Sequence, residues 1–343
     1  MAVMKRLATL IQVSDMHFGR PNPISADVQD WWCRFPGLSG YFGHCGRALR
    51  YLEEEVSMIR QKETDAFLLV SGDLTAYASD EQFALALSYL EDRAGFSQGR
   101  SLGLRFGPEK TFKIPGNHDH WSGKPAQHAF DFVMYGGPTN FFREIFSSMP
   151  RLLLQHDIGA GRQLVIVGID TDAGLGRSSP SKFFARGSFV NQLRQAEDFF
   201  DGDPASQIRV LMMHHSRMDK RFICGINDHC RDALNEFLVR HRISVLLTGH
   251  VHVCDFEPET LVDGQTKWLL LESRCGTTSQ RSLAPVGCKN AKLQPNSFLV
   301  HRIYEETSGA VIWKVEELVR GPWTPFKPAS RRPVSISIDV LAR

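Results

Sequence analysis

The sequence lacks the features that mark several specialised classes of protein. No apolar run approaches the roughly 20 residues that a helix needs to cross a bilayer. Neither sign of charge dominates, since 40 Lys and Arg stand against 38 Asp and Glu and the formal net charge is +2. This balance gives no electrostatic support for coating a nucleic acid or binding a membrane surface through basic residues. We therefore expect neither a membrane span nor a nucleic-acid partner.

Cysteine is scarce and forms no recognisable pattern. The seven cysteines are odd in number, spread widely along the chain and contain no CxxC pair. Such a distribution favours free thiols in a reducing compartment. The N-terminal stretch has two basic residues beside an apolar run, as a signal peptide does, but no small-residue cleavage site follows it. We interpret this stretch as a strand and predict a cytoplasmic protein.

Short apolar runs alternate with segments of helical spacing along a chain of ordinary globular composition, with 42% hydrophobic and 23% charged residues. The apolar runs predict strands at 7–14, 66–71, 111–114, 151–156, 164–169, 209–213, 244–248, 268–272, 298–304 and 311–315. The helical spacing predicts helices at 47–61, 81–92, 188–200 and 228–241. This alternation indicates a layered α/β fold, and the adjacent late strands indicate some antiparallel pairing.

The chain has no internal repeat and no low-complexity linker. We predict one domain over residues 1–319, followed by a proline-containing tail over 320–343 that wraps the surface or is partly disordered. Two irregular segments, 19–44 and 120–147, interrupt the alternation. Segments of this kind often serve as lids, binding loops or interfaces. The first carries aromatic pairs that would either stack a nucleobase or pack in a satellite core or subunit contact, so a homo-oligomer remains an open alternative.

Five short motifs with carboxylate, imidazole and amide side chains each follow an apolar run. They are Asp15-Met16-His17, Gly72-Asp73, Gly116-Asn117-His118-Asp119, His214-His215 and Gly249-His250-Val251-His252. Ligands of open α/β sheets collect outside the carboxyl ends of the strands. The His-containing pairs in the first and last motifs are two residues apart, so an extended backbone would direct both side chains of a pair the same way.

The motifs supply more donors than one metal ion needs. The seven candidates are Asp15, His17, Asp73, Asn117, His214, His250 and His252. They fit two ions if one carboxylate bridges, and two ions roughly 3.5–4 Å apart can clamp a phosphoryl group. Imidazole, carboxylate and amide donors without a thiolate suit Mn, Fe, Zn or Co. The sequence therefore predicts two divalent or trivalent transition-metal ions, whose identity the donors leave open.

In this order, the motifs DxH, GD, GNHD, H and GHxH over residues 15–252 resemble those of the calcineurin-like metallophosphoesterase superfamily. The resemblance implies a four-layer α-β-β-α sandwich of two mixed sheets flanked by helices. It implies one metal held by Asp15, His17, His252 and a bridging Asp73, and a second held by Asp73, Asn117, His214 and His250. It also implies that a hydroxide between the metals attacks phosphorus in line, that His118 assists the leaving oxygen and that Asp119 orients His118.

Within the superfamily, the sequences GDLT and GNHD are similar to class III cyclic-nucleotide phosphodiesterases and glycerophosphodiesterases. The arginine of the GDxxDRG motif of serine/threonine protein phosphatases is missing, since residues 72–77 read GDLTAY. A dianionic monoester gains more from extra cations than a diester does. We therefore favour a phosphodiesterase acting on a small cyclic nucleotide or a glycerophosphodiester. A phosphomonoesterase is the alternative, ahead of a nuclease or a metal-free scaffold.

Several residues beside the motifs have more than one interpretation. His215 would contact substrate, support the site from behind or replace His214 as the ligand. Its followers Ser216 and Arg217 depart from the His-His-Pro that often stands here, which affects the expected substrate rim. Arg274 would contact phosphate or simply lie exposed. In the 120–147 segment, His120 and its neighbour Trp121 would line either the pocket or a surface loop.

Overall fold

The structure is a computed structural model of the chain. It describes residues 4–19, 31–35, 38–95, 101–123, 139–146, 148–159, 161–174, 187–217, 225–279, 295–321 and 324–338. The strands are β1 (Lys5–Val13), β2 (Trp31–Phe35), β3 (Leu38–Phe42), β4 (Ala66–Ser71), β5 (Ala94–Gly95), β6 (Ser101–Leu102), β7 (Thr111–Ile114), β8 (Arg151–Gly159), β9 (Arg162–Gly168), β10 (Gln207–Met212), β11 (Val245–Thr248), β12 (Asp255–Asp263), β13 (Thr266–Arg274), β14 (Asn296–Glu305), β15 (Val311–Arg320), β16 (Lys327–Pro328) and β17 (Val334–Ile338). The α-helices are α1 (Gly46–Lys62), α2 (Asp80–Glu91), α3 (Asn140–Phe146), α4 (Val190–Ala196) and α5 (Asp228–Arg240). None of these helices is both long and apolar enough to cross a bilayer.

The first sheet has the strand order β16-β15-β14-β1-β4-β7, and β17 also pairs with β15. Strands β1, β4 and β7 run parallel to one another, whereas β14 and β15 are antiparallel to their neighbours. A parallel pair needs a long crossover, and α1 lies in the one between β1 and β4. Because β1, β4 and β7 run in the same direction, their carboxyl ends lie at one edge of the sheet, and the residues that follow them meet there.

The second sheet has the order β12-β13-β11-β10-β9-β8. Its four central strands, β9, β10, β11 and β13, are mutually parallel, and β8 and β12 pair antiparallel at the two ends. The loops after β10 and β11 thus leave the sheet at the same edge. Both sheets are mixed, as the sequence predicts.

Apolar side chains on both faces of each sheet build four layers. In β1, Leu10 belongs to the core between the two sheets, whereas its neighbour Ile11 belongs to the core under the helices. Helix α1 covers the outer face of the first sheet with Leu49, Leu52 and Val56, which are spaced three and four residues apart. Helices α4 and α5 cover the outer face of the second sheet in the same way. The predicted four-layer α-β-β-α sandwich is confirmed.

The tail and the irregular segments contain more structure than the sequence indicates. Strands β16 and β17, both beyond residue 320, pair with β15 and extend the first sheet, so residues 327–328 and 334–338 do not simply wrap the surface. The domain boundary at 319 stays a prediction. The segment 19–44 contains the antiparallel pair β2 and β3, but its aromatic side chains lie outside the described residues. The segment 120–147 contains α3, while 124–138 lies outside the described part.

Candidate metal centre

The ends of five strands bring the predicted motifs together between the two sheets. Asp15, Asp73 and Asn117 follow β1, β4 and β7 of the first sheet, and His214 and His250 follow β10 and β11 of the second. Backbone hydrogen bonds tie these loops to one another, since Asp15 N–H donates to the Gly72 carbonyl at 3.1 Å and Gly249 N–H donates to the His214 carbonyl at 2.9 Å. The strand order therefore gathers side chains that lie up to 235 residues apart in the chain.

Asp15, His17 and His252 form one group of potential ligands. Nε2 of His252 lies 3.2 Å from Oδ1 of Asp15 and 3.3 Å from Nε2 of His17. Oδ2 of Asp73 lies 3.7 Å from Nε2 of His17. Asp15, His17 and Asp73 are buried. One ligand atom from each of Asp15, His17 and His252 falls within 4.8 Å of the others, which is close enough for all three to reach one ion.

Asp73, His214 and His250 form a second group of the same kind. Oδ2 of Asp73 lies 3.4 Å from Nε2 of His214, and Nδ1 of His250 lies 3.2 Å from that same Nε2. The same carboxylate oxygen therefore faces His17 of the first group and His214 of the second. This position is the one that a bridging carboxylate requires.

The buried atoms at the site that have no hydrogen-bond partner among the described residues include the amide oxygen of Asn117 and Nε2 of His250. Asn117 directly precedes His118, whose backbone N–H donates to Oδ1 of Asp73 at 2.9 Å. Buried polar atoms without partners are rare, and an atom that ligates a metal must keep its lone pair available. The donor set and these two atoms therefore fit transition-metal ions.

The ligand candidates adopt unusual backbone conformations. The φ angles are positive at Asp15 (50°), His17 (47°), Asp73 (52°), His250 (74°) and His252 (57°). Non-glycine residues rarely adopt this region, and such residues cluster at functional sites. The prediction that an extended backbone aligns the two side chains of each pair is wrong. The two side chains of each pair converge because the backbone turns sharply where the loop leaves its strand.

Glycines allow the loops to approach this closely. A Cβ atom on Gly72 would lie 2.3 Å from Nδ1 of His214, and the φ of Gly72 is +97°. A Cβ atom on Gly116 would lie 2.2 Å from Oδ1 of Asp73. Real Cβ atoms do not come this near to other heavy atoms, so both positions require glycine on steric grounds. The glycines that precede Asp73 and Asn117 therefore have a packing cause.

Backbone carbonyls fix the orientation of two imidazoles. Nδ1 of His214 lies 2.7 Å from the Ser71 carbonyl, so Nδ1 carries a proton and Nε2 faces Asp73. Nδ1 of His118 lies 2.7 Å from the Ala76 carbonyl in the same way. Hydrogen bonds from the second ring nitrogen commonly orient imidazoles that ligate metals. His118 also has a ring nitrogen within 4.8 Å of ligand atoms of His17 and Asp73.

The structure corrects the role expected for Asp119. Its carboxylate accepts hydrogen bonds from the backbone N–H groups of Leu74 (3.1 Å), Thr75 (2.9 Å) and Gly116 (3.0 Å), and from the Thr75 hydroxyl (2.8 Å). The ring of His118 is instead oriented by a carbonyl oxygen. Asp119 therefore joins the loop after β4 to the loop after β7 and positions both, rather than orienting its neighbour in sequence.

Burial and the close approach of charges perturb the titration of these groups. Burial opposes protonation of His214, but the carboxylates of Asp73 and Asp15 raise its pKa to about 10. Burial and the nearby His118 lower the pKa of His17 to about 3. For Asp73, burial raises the pKa, but the His214 charge overrides it and holds the pKa well below the ordinary value. A positive charge is thus favoured beside Asp73, and a metal ion would compete with the proton of His214 for that position.

His215 and Arg274, the two predicted substrate contacts, are engaged within the protein. Nδ1 of His215 lies 2.7 Å from the hydroxyl of Thr171, and its fully buried ring packs on His250 with ring centroids 4.2 Å apart. Nε of Arg274 donates to the Val253 carbonyl at 3.1 Å. The first arrangement fits the interpretation of His215 as a supporting residue, and its contact with substrate stays a prediction, as does that of Arg274.

The residues after His215 also bind within the protein. The hydroxyl of Ser216 donates to the buried carboxylate of Glu272 at 2.6 Å. Arg217 forms ion pairs with Glu272, at 3.1 Å, and with Glu259. Ser216 and Arg217, which differ from the His-His-Pro pattern, therefore anchor this loop to β13 and β12. His214 still lies among the ligand candidates.

A further group, which was not predicted from the sequence, lies close to the centre. His120, Asp170 and Asp172 are buried, and one ligand atom from each lies within 4.8 Å of the others. Asp170 and Asp172 follow β9 as the other motifs follow their strands. The signal was thus present in the sequence as two carboxylates after an apolar run.

The model of the calcineurin-like phosphoesterase family matches residues 8–254 of the chain. No significant match was found among curated proteins. Similar solved structures include GAP50, the anchor in the inner membrane complex of Plasmodium, at 12% identity and a TM-score of 0.47, with 97% of this chain and 89% of that one covered. They also include the NAD nucleotidase NadN of Haemophilus influenzae, at 11% identity and a TM-score of 0.43, with 96% of this chain and 54% of that one covered. Vps29 of Entamoeba histolytica in complex with Zn²⁺ is similar at 10% identity and a TM-score of 0.30, with 96% of this chain and 98% of that one covered.

Proposed function

The chain belongs to the calcineurin-like phosphoesterase family, and we propose that it hydrolyses a phosphodiester with two bound transition-metal ions. Membership of the family suggests a metal-dependent phosphoester hydrolase. The finer proposal, a phosphodiesterase for a small cyclic nucleotide or a glycerophosphodiester, depends on the arrangement of this chain's own side chains and on the motifs GDLT and GNHD.

The position of Asp73 between two ligand groups is the observation that carries the proposal. Its Oδ2 lies 3.7 Å from Nε2 of His17 and 3.4 Å from Nε2 of His214. One ion would be held by Asp15, His17, His252 and Asp73, and the other by Asp73, Asn117, His214 and His250. Bound there, two metals would supply an activated water and stabilise the charge that develops on the phosphoryl oxygens.

His118 is the residue that we propose for proton transfer to the leaving oxygen. The Ala76 carbonyl holds Nδ1, so Nε2 is the ring nitrogen suited to this exchange. Burial lowers the pKa of His118, while Asp73 and the Ala76 carbonyl oppose that effect. An anionic phosphoester would bring a further negative charge to the ring and would favour its protonated form.

The arginines next to the motifs support a diester over a monoester substrate. Arg217 is paired with Glu272 and Glu259, and Arg274 lies 3.5 Å from Asp255. Both guanidinium groups are therefore engaged by carboxylates of the protein and are not positioned to bind the extra anionic oxygen of a phosphomonoester. A diester carries one negative charge and needs fewer cations around it, so the two metals would neutralise its charge.

A hydrolysis panel tests this function. Metal-stripped protein would be restored with Mn²⁺ and assayed on bis(p-nitrophenyl) phosphate, p-nitrophenyl phosphate and a 3′,5′-cyclic nucleotide. We expect metal-dependent cleavage with a higher kcat/KM for the diesters. The exposed variant Asp263→Asn serves as a control for the mutational series and should match the wild type. Preference for the monoester would contradict the diesterase proposal, and hydrolysis that survives complete removal of metal would contradict the metal-dependent mechanism.

A further inference from the structure

A third group of potential metal ligands lies outside the proposed dinuclear centre. His120 ends the 3₁₀ turn that begins at His118, and Asp170 and Asp172 follow β9. Nε2 of His120 lies 2.9 Å from Oδ1 of Asp170. All three side chains are buried, and one ligand atom from each lies within 4.8 Å of the others.

Within the part of the chain that the structure describes, the charge of this group is not balanced by a Lys or Arg side chain. Among the described residues, the ion pairs of Asp170 and Asp172 are made with imidazoles, from His120 at 2.9 Å and from His215 at 3.7 Å, and not with Lys or Arg. A buried carboxylate is costly unless it is paired or coordinates a metal. Two of them on the segment 170–172 make a neutralising divalent cation favourable there.

One oxygen of the group lacks a hydrogen-bond partner. Asp172 is only 1% exposed, and its Oδ1 atom accepts no hydrogen bond from the described residues. Oδ1 of Asp170 accepts the backbone N–H of Asp172 at 2.8 Å, which ties the Asp170 carboxylate to the backbone of Asp172. A buried carboxylate oxygen without a partner, in a group that also holds an imidazole and a second carboxylate, is a suitable coordination position.

We propose that His120, Asp170 and Asp172 form a third site, which binds a divalent transition-metal ion. One imidazole and two carboxylates are donors that Zn, Mn, Fe and Co accept, and three protein ligands leave room for water. The site goes beyond the proposed hydrolysis, which needs only the two ions around Asp73. It adjoins the centre through His215, which lies between Asp172 and the ring of His250, so a cation here would support a ligand of the second ion from behind.

Metal counting on the full chain tests the third site. Metal-free protein would be saturated with Zn²⁺ alone or with Mn²⁺ alone, freed of loosely held ions and analysed by mass spectrometry. We expect three ions per chain in the wild type and two in Asp172→Asn and in His120→Gln. The matched control is Glu63→Gln, which removes a buried carboxylate that pairs with Arg302, away from all three proposed ions, and should retain three.

Two further arms keep the third site distinct from the dinuclear centre. Asp73→Asn should lose ions of the dinuclear centre but retain the ion that Asp172→Asn removes. If the dinuclear proposal fails, the wild type should still bind one ion that depends on Asp172. Anomalous diffraction from wild-type crystals grown with Zn²⁺ covers the case in which a variant fails to fold, and it should show a peak beside Nε2 of His120. Peaks only beside Asp73, together with no more than two ions per chain, would overturn the third site.

Discussion

The imidazole of His118 lies stacked on the indole of Trp121, with ring centroids 4.4 Å apart and planes inclined by 23°. The indole is buried and supports one face of the ring, while the Ala76 carbonyl holds its Nδ1 at 2.7 Å. These two contacts restrict both the tilt and the rotation of the imidazole. Trp121 thus lines the site, which is one of the two alternatives that the sequence left open.

Replacing Trp121 should slow turnover through His118. In Trp121→Leu the apolar volume is largely kept but the aromatic face is lost, and such contacts contribute about 0.5–1.5 kcal/mol. We expect kcat to fall by up to about tenfold, with a larger effect on diesters of poor leaving groups and no change in metal content. Trp121→Phe should recover most of the rate. An equal loss for good and poor leaving groups would indicate a general structural role instead.

Removing the imidazole itself should have a larger effect of the same kind. His118→Ala should retain its metal ions because none of the proposed ligands is changed, and turnover should fall by about 10²–10⁴-fold, the usual contribution of general acid–base catalysis. The loss should be greatest for poor leaving groups, which depend most on protonation. Loss of metal in this variant, measured by mass spectrometry, would make His118 a ligand or a structural support rather than the proposed proton donor.

Gly116 should be required for the position of Asp73. In Gly116→Ala the new Cβ would lie 2.2 Å from Oδ1 and 2.4 Å from the backbone nitrogen of Asp73, so the loop must move. We expect a loss of about 1–3 kcal/mol in the free energy of unfolding and weaker metal binding by calorimetry. Gly95→Ala is the control, since its Cβ would meet nothing within 4 Å. Equal metal affinity in both variants would show that the close packing of Gly116 is not needed by the site.

His301 should make the fold less stable in acid. It accepts a hydrogen bond from Trp313 Nε1 at 3.1 Å on Nδ1 and lies 3.0 Å from Gln12 Oε1 through Nε2, so both nitrogens are used by the neutral ring. Burial lowers its pKa to about 3, compared with about 6.5 in the unfolded chain. The unfolded state therefore binds the proton first, and the stability that the neutral ring provides is lost as the pH falls from 6.5 towards 3.

Chemical denaturation at several pH values measures this effect. The contribution of one such group to the slope is at most about 1.4 kcal/mol per pH unit. His301→Gln should be destabilised at pH 7.5 because it loses the buried hydrogen bonds, but its stability should fall less steeply below pH 6.5 than that of the wild type. Parallel pH profiles for the two proteins would mean that His301 does not carry the proton linkage.

The sequence predicted the layered fold and the gathering of the motifs because both depend on local apolar runs and on what directly follows them. Strand β12 was missed because it lies at the edge of the second sheet and its residues are mostly exposed, so it carries no apolar run. Helix α4 was predicted too long, at 188–200, because its apolar spacing continues through the 3₁₀ turn Glu197–Phe200.

Contacts between distant loops were beyond what spacing alone could supply. Asp119 adjoins His118 in the sequence, but its carboxylate binds the loop after β4, 45 residues away from it at Leu74. Asp170 and Asp172 follow a strand as the other motifs do, yet only the structure brings them to His120. The supporting position of His215 likewise depends on Thr171, which no pattern in the chain connects to it.

The most direct test of the account is the metal content and diesterase activity of Asp73→Asn, measured on the same preparation. An amide cannot bridge two cations as a carboxylate does, so we expect loss of at least one ion per chain from the dinuclear centre. Turnover of bis(p-nitrophenyl) phosphate should fall by about 10³-fold or more, since metal catalysis supplies several kcal/mol. Wild-type metal content and wild-type turnover in this variant would contradict a centre bridged by Asp73 and, with it, the proposed mechanism.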